Sequence, residues 1–284
     1  MKTVVAARAL MISLLILLAA AQLAAQASSL VDVGGYRLDV VQAGTGDPAV
    51  VLVAGLGNDV DTWKTFLPYA AKLGTVVAYS RAGLGRSEGA TREHTVSSSV
   101  DELHRLIEKL GLKRPVVLVG ASYGGIIVRL YTSRYPADVA GLVFIDASSE
   151  EQVKRYGKLD PTYPGAFKKV FEDLIKTQTG AVAGETRESL RIQMVGVVEG
   201  MKPVPDLPMA VLTSMQPDPK AQYVNQTPRG YDEWRAMHDE WFLRSSNAIH
   251  ITTSHSGHHI QDDEPQLVAD AIRFVLDRVT QVRK

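Results

Sequence analysis

The 284-residue sequence contains no cysteine, which excludes disulfides, thiolate nucleophiles, Cys-ligated zinc, iron–sulfur clusters and a lipid anchor through an N-terminal Cys. Charge of one sign is also missing, since Lys plus Arg and Asp plus Glu each number 31. No net field draws the chain toward nucleic acid or an anionic bilayer, so nucleic acid is not an expected partner. Aromatic residues make up only 7%. The remaining composition, 45% hydrophobic and 22% charged, is that of a globular chain and excludes collagen-like, coiled-coil and wholly disordered ones. At this length a single α/β domain with an insertion is expected.

Long hydrophobic runs are scarce, and the one that stands out is at the N-terminus. Lys2 and Arg8 precede a stretch from Ala9 to Ala21 broken only by Ser13, and Ala25-Gln26-Ala27 offers small residues where a signal peptidase inspects the chain. About 13 residues at ~1.5 Å rise span ~20 Å, short of the ~30 Å hydrocarbon core. Residues 1–27 are therefore expected to be a cleaved signal peptide rather than an anchor. Cleavage removes Lys2 and Arg8 and leaves a near-neutral, secreted or periplasmic protein with no stable membrane span.

Beyond the leader, short β-rich runs alternate with amphipathic stretches, the pattern of βα units stacked into a mostly parallel sheet flanked by helices. Strands are predicted at Tyr36 to Val41, Ala49 to Val53, Thr75 to Tyr79, Val116 to Val119, Leu142 to Ile145, Met209 to Thr213 and Ala248 to Thr252. A helix is predicted from Val100 to Leu110, with Ser99 and Glu102 spaced as a capping box and Gly111 ending it. Another starts at Pro265, entered through Asp263 or Glu264. Between 148 and 207 the alternation stops. That stretch reads as a helical cap insertion, with Phe167, Val170, Phe171, Leu174 and Ile175 on one face and Pro203, Pro205 and Pro208 returning the chain to the sheet. Residues 28–147 and 208–284 then form the core.

Directly after Val116-Val-Leu-Val119 comes Gly120-Ala-Ser122-Tyr-Gly124, followed by Gly125 and a helix-like stretch from Ile126 to Tyr131. This is G-x-S-x-G between a strand and a helix. Small residues at 120 and 124 permit a strained turn that lifts the Ser122 hydroxyl clear of the sheet, at the positive end of the next helix. A plain βα turn with an N-capping serine is the structural alternative.

On these residues the chain resembles the α/β-hydrolase family, a resemblance extended by Ala54-Gly-Leu-Gly57, Arg81-Ala-Gly-Leu-Gly-Arg-Ser87 and Ser256-Gly-His258. It implies a serine hydrolase with Ser122 as nucleophile and a histidine after the last strand, in the chain order Ser, acid, His. His258 fits, with Gly257 allowing its loop to turn. Zinc binding by His255, His258 and His259 lacks the helical H-E-x-x-H spacing, so no metal and no cofactor are expected. His94, His104, His238 and His250 read as structural.

The acid must hold the histidine in its useful tautomer and stabilise the imidazolium. Asp146, ending its strand, and Asp218, beyond the later one, both qualify. The later turn, Ser214-Met-Gln-Pro-Asp218, carries Pro217 where the resemblance places an acid, so Asp146 is preferred. Oxyanion donors are expected from the backbone N–H of Tyr123, the residue after the nucleophile, and of Leu56. Ala54 stands where the family's loop usually has histidine, and Ser80 where aspartate is frequent. Arg81 to Ser87 reads as support beside the site, and Trp63 and Phe66 as core or pocket wall. The expected substrate is a small-molecule carboxylic ester. The same triad would serve a lactonase, an amidase or iminopeptidase, or a C–C hydrolase, and a non-catalytic ligand-binding protein of this fold is the alternative from another class.

Overall fold

Val50–Val53, Val76–Tyr79, Val116–Ala121 and Met209–Ser214 are buried at every residue, because helices cover both faces of the sheet they build. In chain order the computed structural model, which describes residues 28–282, forms β1 (Ser29–Asp32), β2 (Arg37–Ala43), β3 (Val50–Val53), α1 (Leu67–Ala70), β4 (Val76–Tyr79), α2 (Val96–Lys109), β5 (Val116–Ala121), α3 (Tyr123–Arg134), β6 (Val139–Ile145), α4 (Gln152–Leu159), α5 (Tyr163–Thr177), α6 (Gly180–Val195), β7 (Met209–Ser214), α7 (Pro228–Phe242), β8 (Ala248–Thr253), α8 (Ile260–Asp263) and α9 (Pro265–Val282). The expected leader, residues 1–27, lies outside the described residues. Among the described residues no helix is long and apolar enough to cross a membrane.

The sheet runs β1-β2-β4-β3-β5-β6-β7-β8. β2 is antiparallel to β1 and β4, and every other pairing is parallel. Alternation along the strands divides the core in two. Val51, Val53, Leu118, Leu142 and Phe144 pack toward α2 and α3, whereas Val50, Leu52, Val117, Val119, Val143 and Ile145 pack toward Trp63, Phe66 and α9. Each such burial contributes roughly 1.5–3 kcal/mol relative to exposure. β3 pairs β4 on one side and β5 on the other, so the connections leaving β3 and β5 turn apart and open a crevice at the strands' carboxyl ends.

Some expectations differ from the structure. β1 was not anticipated: four edge residues, mostly exposed, carry no apolar pattern to reveal them. α2 begins a turn earlier than predicted and is capped by Thr95, whose Oγ1 accepts from Ser98 N while Ser98 Oγ accepts from Thr95 N, each at 3.0 Å. Ser99 is instead inside the helix, bonded to Thr95 O, and Glu102 is buried, accepting from Tyr36 Oη at 3.0 Å and Ala82 N at 3.2 Å. At the entry to α9, the Asp263 and Glu264 carboxylates turn back to Gly257 N and to the Thr253 and Ser256 hydroxyls. Residues 148–207 carry α4, α5 and α6 and then run without helix or strand to β7. Trp63 and Phe66 belong to the core.

Candidate active site

Ser122 joins β5 to α3 with φ 50 and ψ −122, a positive-φ conformation that a side-chain-bearing residue adopts only under constraint. The constraint is contact. A Cβ on Gly124 would lie 2.2 Å from Val53 O, one on Gly120 2.8 Å from Gly124 O, and one on Gly125 2.4 Å from the Ala147 Cβ. Glycine at 120, 124 and 125 thus lets the turn press against β3 and β6, and Ser122 N donates to Ile145 O at 3.1 Å.

The loop after β8 carries His258 over this turn. Its Ser256 is buried, with the hydroxyl donating to Glu264 and the carbonyl accepting from Ser214 Oγ at 2.8 Å. His258 Nε2 lies 2.9 Å from Ser122 Oγ, and Nδ1 lies 2.6 Å from Asp146 Oδ2. Asp146 ends β6 with φ 41 and is buried, and its Oδ1 accepts from Ser214 N at 2.9 Å and Trp234 Nε1 at 2.7 Å. The structure therefore brings Ser122, His258 and Asp146 into one hydrogen-bonded chain. Asp218 is not in it: its Oδ1 accepts from Lys220 N at 2.8 Å, in a turn on the cavity wall.

Burial pushes the Asp146 carboxyl up, but hydrogen bonding and charge from His258, with the nearby Trp234 donor, outweigh it and hold the group below the usual carboxylate range. Desolvation in the pocket lowers His258, and the Asp146 hydrogen bond and charge overcome this and raise it above the ordinary imidazole value. Both shifts favour a carboxylate beside a ready imidazolium. His238, buried behind Asp146, is pushed down to about 4 by burial, so it is neutral near pH 7, with Nε2 donating to Ala147 O at 2.8 Å.

Leu56 and Tyr123 both line the cavity beside Ser122, and neither backbone N–H donates to another group among the described residues. The Gly55 backbone is close enough that a Cβ there would lie 3.3 Å from the Ser122 Cβ. The Arg81 turn lies under this loop, and Ser80, in the usual aspartate position, accepts from Val60 N at 2.9 Å. The cavity holds about 710 Å³. Tyr156, Tyr163, Phe167, Val170 and Phe171 line it from the insertion, Tyr223, Tyr231 and Trp234 from the segment after β7, and among the described residues no Lys or Arg lines it. Among the described residues no group of three His, Asp or Glu side chains is placed to hold a metal ion.

Sequence reasoning missed α7 and with it Trp234, which bonds the acid. A signal was present: Thr227 before Pro228 is a helix entry, and Tyr231, Trp234, Met237 and Trp241 recur at helical spacing. The Ser214 N–H carries no such signal, since any residue supplies a backbone donor.

Residues 48–194 match the family model of the alpha/beta hydrolase fold. The chain belongs to this family. Among curated proteins it is similar to the uncharacterized protein YqjL of Bacillus subtilis, 24% identical over 230 residues that cover 81% of this chain and 83% of that one. Among solved structures, a thermophilic esterase from Thermogutta terrifontis superposes with a TM-score of 0.64 at 20% identity, covering 89% of this chain and 99% of its own. The enol-lactonase from Burkholderia xenovorans superposes with a TM-score of 0.60 at 16% identity, covering 88% and 100%. At these identities the superpositions speak for the fold, and the chemistry must be argued from the site.

Proposed function

We propose that this protein is a serine hydrolase that cleaves carboxylic esters through an acyl-enzyme. The observation that carries the reading is the continuous chain from Ser122 Oγ through His258 to Asp146, at 2.9 and 2.6 Å, on a turn that holds the hydroxyl clear of the sheet. Ser122 Oγ attacks the ester carbonyl as His258 Nε2 takes its proton. Asp146 accepts the Nδ1–H hydrogen bond, which holds that proton on the imidazole, and stabilises the imidazolium. The Leu56 and Tyr123 amides receive the oxyanion, and removing such a donor typically costs ~100- to 1,000-fold in rate. Collapse of the intermediate expels the alcohol, which takes the proton from His258. Water then repeats the cycle to release the acid and restore Ser122.

The cavity supports an ester with a bulky apolar or aromatic acyl or alcohol group. Tyrosine, phenylalanine and tryptophan from the insertion and from the segment after β7 form the apolar part of its walls, beside glutamine, asparagine and serine, and among the described residues no lysine or arginine lines it to recognise an anionic substrate. The N-terminal sequence supports work outside the cytoplasm, after loss of residues 1–27.

The test is hydrolysis of nitrophenyl esters of graded chain length by the wild type and Ser122→Ala, with fluorophosphonate labelling of both. Turnover and labelling lost together in the variant are the expected result. Labelling of Ser122 without turnover of any ester would move the assignment to lactone, amide or C–C bonds. No labelling, no turnover and ligand affinity unchanged by Ser122→Ala would make the protein a binding module.

A further inference from the structure

Ala54 is too small to brace the loop that presents Leu56, yet that loop is held from outside by two charged groups that the hydrolytic steps do not use. Arg81, just past β4, is 2% exposed, and its Nη1 donates to Ala54 O at 2.8 Å and its Nη2 to Gly55 O at 2.6 Å. Its Nε and Nη2 also donate to Glu185, at 2.5 and 2.8 Å. Glu185 sits on α6, is 1% exposed, and with Oε2 accepts from Gly57 N at 2.8 Å. The ion pair therefore grips the loop on both sides of Leu56.

We propose that Arg81 and Glu185 are positioning residues for the oxyanion loop, fixing the two peptide planes that flank Leu56 and so the direction of its N–H. This rests on the serine hydrolase reading. Gly55 C=O and Leu56 N–H are opposite ends of one planar trans peptide, so they point in opposite directions. A guanidinium clamped on the Gly55 oxygen turns the Leu56 N–H away from Arg81, on a loop whose Gly55 backbone lies against Ser122. The Glu185 bond to Gly57 N fixes the next peptide in the same way, which leaves Leu56 no free backbone rotation. The charge-assisted bond to Gly55 O also polarises that peptide and strengthens its N–H as a donor.

Stability alone is a poor account of the pair, because well-packed apolar residues commonly replace a buried ion pair without loss. Glu185 also comes from the insertion rather than the sheet. The oxyanion loop is therefore complete only while α6 is seated on the core, and lifting α6 withdraws the acceptor from Gly57.

The test compares Glu185→Gln, Arg81→Lys and the double variant Arg81→Met/Glu185→Leu with the wild type. Measurements are thermal stability, kcat and KM on one nitrophenyl ester, and affinity for a boronic acid, whose tetrahedral adduct with serine reports oxyanion binding. Each single variant leaves a buried charge poorly paired and is expected to lose stability. The double variant removes both charges and restores it. The expected result is that the folded double variant still shows kcat down on the order of 10- to 100-fold, boronate affinity down in parallel, and KM within about 3-fold. Arg81→Lys, which keeps the charge but not the fork, should fall between. Wild-type kcat and boronate affinity in the double variant would overturn the proposal and leave the pair a purely structural contact. A wild type inactive on all esters and unlabelled by fluorophosphonate would instead overturn the serine hydrolase reading, a separate failure.

Discussion

The two walls that meet across the cavity at Ser122 are built by opposite means. On the sheet side, Ser122 and Asp146 sit at the ends of β5 and β6 with φ of 50 and 41, and their neighbours are buried and hydrogen-bonded. On the insertion side, the apolar stripe of α5 is only partly covered. Val170 and Leu174 are each 40% exposed, and Phe167 and Phe171 stack at 4.3 Å over the cavity. The sheet side holds the proposed reacting atoms on close-packed, hydrogen-bonded backbone. Phe167, Val170 and Phe171 of α5 face the cavity, where the proposed substrate would complete their burial. Changes in the first wall should therefore act on kcat and stability, and changes in the second on KM.

The largest effect should separate two aspartates, Asp146 on the sheet side and Asp218 in the turn after β7. Asp146→Asn leaves the His258 geometry in place but no longer enforces the tautomer or stabilises the imidazolium, so kcat should fall on the order of 1,000- to 10,000-fold. Asp218→Asn should change kcat by less than about 3-fold, its carboxylate being occupied with Lys220 N. Steady-state kinetics on both folded variants checks this, and a large loss in Asp218→Asn alone would reverse the assignment. The pH profile sharpens it. Catalysis needs neutral His258, whose pKa Asp146 raises, so kcat/KM should rise through a midpoint above 6.5 in the wild type. In Asp146→Asn the residual activity should titrate at lower pH.

The same contrast explains how far the sequence could be read. Parallel strands buried on both faces betray themselves as valine runs, and the elbow betrays itself because contacts under 3 Å at Gly120, Gly124 and Gly125 admit no other residue. The helix starting at Val96 was read a turn short, since Thr95-Val-Ser-Ser98 and Ser99-Val-Asp-Glu102 both offer a capping pattern and only the tertiary burial of Glu102 chooses between them. The choice between Asp146 and Asp218 turns on Trp234, and no strand pattern places that residue's helix beside the acid. The face of α5 was legible as apolar, but periodicity cannot tell a stripe that meets a core from one that meets a cavity. Arg81 was legible as support, whereas its partner Glu185 stands 104 residues away with nothing in the sequence to join them.

The next effect in size concerns a carboxyl buried on α2, the helix that packs on the sheet. Burial pushes Glu102 up to about 7, against hydrogen bonds from Tyr36 and Ala82 that lower it. The native state thus keeps a proton that the unfolded chain, titrating near 4.5, releases. Unfolding releases a proton between these values, and stability contributed by the protonated group is lost as pH rises through 7. Glu102→Gln mimics the protonated form and lacks this slope. From pH 4.5 to 8 the wild type should lose on the order of 3 kcal/mol relative to the variant. Urea midpoints at both ends of the range measure it, and parallel pH dependences for the two proteins would contradict it.

The smallest effect probes the insertion wall. Phe171 packs on Phe167 and lines the cavity while remaining partly exposed, so Phe171→Ala removes little from the folded core and should lower stability by less than about 1 kcal/mol. What it removes is surface for the substrate. For a nitrophenyl ester with an aromatic acyl group, KM should rise roughly 3- to 10-fold with kcat unchanged, the signature of binding shared equally by ground and transition states. For nitrophenyl acetate, whose acyl group is a single methyl, both constants should stay at wild-type values. Michaelis curves on the two esters decide the matter: a kcat loss shared by both would mean that α5 helps to hold the reacting atoms, and the division between the walls would have to be withdrawn.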